Sequence, residues 1–98
     1  MVKHIILWKL KEEANTAEVK HGIKAGLEGL IGVVPGLIEI KVETETLASS
    51  NVDVMLYSVF EDEAALKGYA VHPAHVAVAD TKVRPFTAVR SCIDFVVD

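Results

Sequence analysis

The stretch Val2-Lys3-His4-Ile5-Ile6-Leu7-Trp8-Lys9-Leu10 decides the fold. Rich in branched and aromatic residues, it reads as a strand. One face carries Val2, His4, Ile6, Trp8 and Leu10, and the other Lys3, Ile5, Leu7 and Lys9. Apolar groups stand on both, so both faces need cover. Val54-Met55-Leu56-Tyr57-Ser58-Val59-Phe60 has the same property, being almost continuously apolar like a strand covered on both sides.

Outward from these two strands, the remaining elements follow. Asn15 reads as a helix N-cap with Glu18 as its reciprocal capping-box partner. Ile23, Leu27, Leu30, Ile31 and Val34 follow as one helical stripe that Pro35-Gly36 stops. Gly22, Gly26, Gly29 and Gly32 weaken this helix, and either permit close packing on the sheet or leave room for a ligand. Ile38, Ile40 and Val42 alternate with Glu39, Lys41 and Glu43, the pattern of a half-buried strand. Asp62 caps a short second helix running to about Val71, and the pre-proline residue His72 must leave helical geometry. Pro73 suits the first position of a third helix, to about Val83, and Ala88–Val97 is the last strand.

The order is strand, helix, strand, strand, helix pair, strand. Right-handed crossovers fold it into an α+β unit, a four-stranded antiparallel sheet ordered 4-1-3-2 with its helices on one face. Those helices hide one side of the sheet only. A second copy of the chain docked on the bare side is the simplest cover, giving a homodimer through the sheet face.

Composition agrees. Ninety-eight residues make one domain, 1–98, with a thin core, yet 51% of them are hydrophobic. The net charge is −4 and no basic stripe exists, which argues against nucleic acid and for small neutral or apolar ligands. A single cysteine, Cys92, forms no intrachain disulfide and fits a reducing compartment. No apolar run approaches the roughly 20 residues that span a bilayer, and no signal peptide is evident. The expected setting is the cytoplasm, away from membranes.

Chemistry concentrates in Tyr69-Ala70-Val71-His72-Pro73-Ala74-His75. His75 falls in the first turn of a helix, whose positive end disfavours imidazolium and leaves a neutral ring able to accept a proton. Tyr69 offers a hydroxyl to a carbonyl or enolate oxygen. Base plus donor is the minimum equipment for taking a proton from an acidic C–H or phenol. The same two residues can also be plain packing groups at a proline turn. If the last strand runs antiparallel beside the first, Asp94 comes near His4 and fixes its tautomer, or the two form a satisfied core pair. His72 and His75 are spaced like metal ligands, but the proline turn separates them and no third ligand is near, so no metal is expected. Cys92 is expected to be buried and inert, Trp8 and Phe60 to be core, and Glu39, Glu43 and Glu45 to be solvated.

Taken together, Val2-Lys3-His4-Ile5-Ile6-Leu7, the Val34-Pro35-Gly36 helix stop, the apolar third strand and Tyr69 through Val76 resemble the stress-responsive A/B-barrel (Dabb) proteins. The resemblance covers essentially the whole chain, and His-Pro-x-His after the second helix is its most specific part. It implies a homodimeric α+β barrel with a ferredoxin-like protomer. Plant polyketide cyclases of this family use a tyrosine and a histidine as an acid/base pair in an intramolecular aldol closure. Those positions look like Tyr69 and His75, with His4 lining the same cavity and Asp94 matching an acidic residue of the last strand. On the first helix the pocket side is Ile23, Gly26 and Leu27, with no aromatic residue to shape a polyketide site.

Three functions follow as expectations. The first is a cofactor-free protein that binds a small apolar or aromatic carbonyl-containing metabolite, with His75 as base and Tyr69 as donor. The second is a non-enzymatic stress-response protein in which these residues only pack. The third is a small monooxygenase, cofactor-free or using haem with His75 or His72 as axial ligand.

Overall fold

The structure, a computed structural model, describes residues 1–98. Strand β1 spans Val2–Leu10, helix α1 Ala17–Glu28, β2 Leu37–Glu43, β3 Val54–Phe60, α2 Glu63–Val71, α3 Pro73–Val78 and β4 Thr87–Val96. The sheet is ordered β2-β3-β1-β4 with every neighbour antiparallel, as the sequence predicts. This is a ferredoxin-like βαββαβ fold. Alternation along β1 sends Val2, His4, Ile6, Trp8 and Leu10 under the helices. There they meet Ile23 and Leu27 of α1 and Tyr69 of α2.

The opposite side of the sheet is bare. Ile5 pairs with Tyr57 on one side and Ile93 on the other, and Leu7 with Met55, so these side chains form one apolar surface. Ile93 and Val89 are each 58% exposed and Leu7 37%. Strand β4 is open on its helix side as well, because the helix layer stops over β1. For that reason Cys92, expected to be buried, is exposed.

Four local expectations are corrected. Thr16, not Asn15, caps α1, its hydroxyl accepting from Val19 N at 3.2 Å. Asn15 instead donates to Asp53 at 3.3 Å, and Asp53 also accepts from Leu10 N. Glu18 thereby stands one residue short of the position from which a capping box reaches back. Helix α1 ends at Glu28 rather than at Pro35, since the glycine-spaced segment beyond it turns instead. Leu30 and Val34 stay buried, but Ile31 is exposed. On β2 the register slips between Leu37 and Glu39, so Leu37 turns inward and Ile38 outward. Beyond Val78 the helical run to Val83 continues as a π-helical turn over Ala79–Val83.

The other joints form as their residues dictate. Asp62 accepts from Ala65 N at 2.8 Å and starts α2. His72 is extended (φ −64°, ψ 131°), and its Nδ1 accepts from Ala74 N at 3.1 Å, capping α3 with Pro73 behind it. At Gly36, φ is +80° and a Cβ would stand 2.5 Å from that of Ala65, so glycine is required twice over. At Gly26 a Cβ would stand 2.8 Å from Val78 Cγ1, so the glycine lets α1 lie close to α3. Glu28 accepts from Val42 N at 2.9 Å, while Lys24 reaches both Glu28 and Val42 O at 2.8 Å. The pair fastens α1 to strand β2 at the sheet's edge.

Candidate functional site

Between the helices and the inner face of the sheet lies a cavity of about 380 Å³, within the usual range for small-molecule sites. Its floor is His4, Ile6 and Trp8 of β1 with Leu56 of β3. Leu27 closes one side, Tyr69 and His75 another, and Arg84 and Arg90 also line it. Nine of the fourteen lining residues are hydrophobic, so a bound molecule would be largely apolar with a few polar anchors.

Three rings run across this space. Tyr69 lies 4.1 Å from His75, centroid to centroid, and 6.0 Å from His4, with Phe60 edge-on at 5.0 Å. The break at His72-Pro73 makes this possible by setting the end of α2 beside the start of α3. Tyr69 is 2% exposed, and its hydroxyl has no hydrogen-bond partner. A buried hydroxyl without a partner costs about 1–3 kcal/mol. Burial pushes the phenol well above its ordinary range, with the Arg90 charge only partly opposing, so it stays a neutral donor.

His75 Nδ1 lies 3.4 Å from the Ala70 carbonyl. Donating there leaves Nε2 as the free lone pair. Burial holds the ring below the ordinary histidine value, and the charges of Arg84, His4 and Arg90 act the same way, while the bond to Ala70 opposes them. A neutral imidazole beside a neutral phenol can take a proton from carbon or oxygen and hold the oxyanion that results.

His4 and Asp94 face each other across the β1–β4 pairing, and His4 Nδ1 is hydrogen-bonded to the Asp94 carboxylate. The His4 carbonyl accepts from the buried Ser58 hydroxyl at 2.8 Å, which steadies this stretch of β1. Asp94 does not itself line the cavity; it orients a residue that does. Cys92 Sγ stands 3.6 Å from Asp94 and 3.8 Å from His4 Nδ1. Burial raises its thiol pKa, the Asp94 charge adds to this, and Arg90 opposes.

The structure therefore brings Tyr69, His75, His4 and Leu27 to one cavity. It does not bring Ile23, which is fully buried in the core below the helix and off the cavity wall. It adds Arg84 and Arg90, which sequence reasoning did not place. For Arg90 a signal existed, since it shares a strand face with Asp94. Arg84 depends on the π-helical turn, which no pattern announces.

The model of the stress responsive A/B barrel domain (Dabb) matches residues 2–97. The chain belongs to this family. Olivetolic acid cyclase of Cannabis sativa is 27% identical to this Dabb protein over 82 residues, 81% of this chain and 80% of that one. Among solved structures, a dimeric protein of unknown function with a ferredoxin-like fold from Bacteroides fragilis is 30% identical (TM-score 0.87, covering 96% of this chain and 93% of that one). The hydroxynitrile lyase of Passiflora edulis shares the fold at 17% identity, with TM-score 0.83 over 99% of this chain and 93% of that one. No helix of the Dabb chain is long and apolar enough to cross a membrane.

Proposed function

We propose that this Dabb protein is a single-domain homodimer whose cavity binds a small apolar or aromatic carbonyl-containing metabolite and carries out acid–base chemistry of the aldol type, in the cytoplasm. The observation that carries the reading is the Tyr69 hydroxyl, buried without a partner against a neutral His75 in a largely apolar cavity. Folding leaves such a donor unpaired at a cost that a bound oxygen would remove. The family relationship and the 27% identity to olivetolic acid cyclase support the same chemistry.

In this reading His75 Nε2 takes a proton from a carbon flanked by carbonyls. The electron pair moves onto the carbonyl oxygen, which Tyr69 O–H stabilises as the enolate. That enolate carbon bonds to a second carbonyl of the same molecule, and the new alkoxide receives the proton back from His75. Atoms balance as an isomerisation, with no oxidant or metal required. His4, oriented by Asp94, is a positioning residue at the floor.

Dimerisation through the bare sheet face is supported by the apolar surface around Ile5, Leu7 and Ile93, and by the dimeric Bacteroides fragilis relative. The test of the chemistry uses a linear poly-β-ketone whose aldol closure gives a cyclic β-hydroxyketone of the same composition, which then loses water and enolises to the aromatic product that is measured. The wild type should accelerate closure, and His75→Ala should lower the rate about 10²–10⁴-fold with the circular dichroism spectrum unchanged. Closure at the wild-type rate in the folded variant removes His75 as the base.

A further inference from the structure

We propose, resting on the binding reading above, that the ligand carries a carboxylate and that Arg90 at the cavity wall receives it. The chain's ion pairs are Lys9–Asp53, Lys24–Glu28, Lys67–Glu63 and Arg84–Asp80. Of the two arginines that line the cavity, Arg84 is therefore already matched, and Arg90 has no carboxylate partner. The acid on the same strand face, Asp94, is held by His4. An exposed guanidinium without a carboxylate partner thus stands on the wall of a largely apolar space.

Its charge also reaches the reacting groups, favouring an ionised Tyr69 and a neutral His75. A guanidinium presents paired N–H groups that fit the two oxygens of a carboxylate. A phosphate, with more charge and more acceptor oxygens, would need more donors than one free arginine. The ligand class that fits is an apolar or aromatic body bearing one carboxylate, the body lying on Ile6, Trp8, Leu27 and Leu56.

Trp8 is the only tryptophan and lines the cavity, so its fluorescence reports occupancy directly. The probes are para-butylbenzoate and its neutral isostere para-butylbenzamide, titrated against the full chain and repeated by calorimetry. The acid should bind at least about tenfold tighter than the amide, as a charge-assisted bidentate contact predicts. Arg90→Gln should bring the acid to within about twofold of the amide without weakening the amide. Lys67→Gln removes the same charge at a surface pair away from the cavity and should leave the preference intact. Equal affinity for acid and amide, or a preference that survives Arg90→Gln, overturns the carboxylate assignment while leaving the binding reading in place. If neither probe binds by either measurement, the binding reading fails and this assignment with it.

Discussion

The ring of Tyr69 lies 4.1 Å from that of His75 while its hydroxyl touches no acceptor. The two residues come from different helices, and the extended His72 between those helices sets the angle at which they meet. The contact and the unpaired oxygen together leave a buried donor on the cavity wall with no partner from the chain itself.

Tyr69→Phe removes the unpaired oxygen and keeps the ring. The variant should be more stable than the wild type, by about 1 kcal/mol in urea unfolding, because a buried unsatisfied group has gone. It should also close the poly-β-ketone more slowly. A variant less stable than the wild type by a similar amount would mean that the hydroxyl has a partner in solution.

The acid limb of activity should report His75. Its proton affinity is held below the ordinary value of 6.5, so the base stays neutral through that pH and the rate falls only in more acid solution. Stability follows the same sign. Above pH 6.5 neither folded nor unfolded chain binds the proton. As pH falls below that value the unfolded chain takes it up first, so stability drops until the folded ring titrates. A pH–rate midpoint above 6.5, lost in a His75 variant, would contradict the burial described.

Much of this was legible beforehand. Strand order, the Asp62 cap, the His72-Pro73 break and the His4–Asp94 pairing all follow from alternation, capping chemistry and antiparallel register, which act within a few residues or along one strand pair. What escaped depends on tertiary competition. Asn15 is a good cap by type, but Asp53, distant in sequence, draws its side chain away. Ile38 turns out only because β2 slips against β3. Cys92 is exposed because the helix layer ends short of β4, a matter of where three helices pack rather than of any residue near position 92.

Gly36→Ala should be costly. The φ of +80° disfavours any side chain, and the added Cβ would meet the Ala65 Cβ at 2.5 Å. Strain and overpacking together predict a loss of about 2–4 kcal/mol by chemical denaturation. A loss under about 0.5 kcal/mol would show that α2 can shift freely.

Glu28→Ala should cost about 1 kcal/mol at neutral pH, a modest figure because water partly screens the group. Burial alone would raise the Glu28 pKa, but the bonds from Lys24 and Val42 N outweigh it and the net shift is downward. Its stabilisation is therefore present above pH 4.5 and lost as pH falls through the lower folded value. The gap between wild type and variant should narrow in that acid range; a constant gap would mean that charge plays no part.

Ile93→Glu places a carboxylate in the middle of the bare sheet face, next to Ile5. Sedimentation should show the wild type as a dimer at micromolar concentration and the variant as a folded monomer. A wild-type monomer under those conditions would remove the proposed assembly.

The close approach at Gly26 gives this protein a dial. A methyl group added at Gly26 would stand 2.8 Å from Val78 Cγ1, so the neighbour that must give way sits on α3, the helix that carries His75. The missing side chain at Gly26 therefore fixes how near that helix, and His75 with it, can stand to α1.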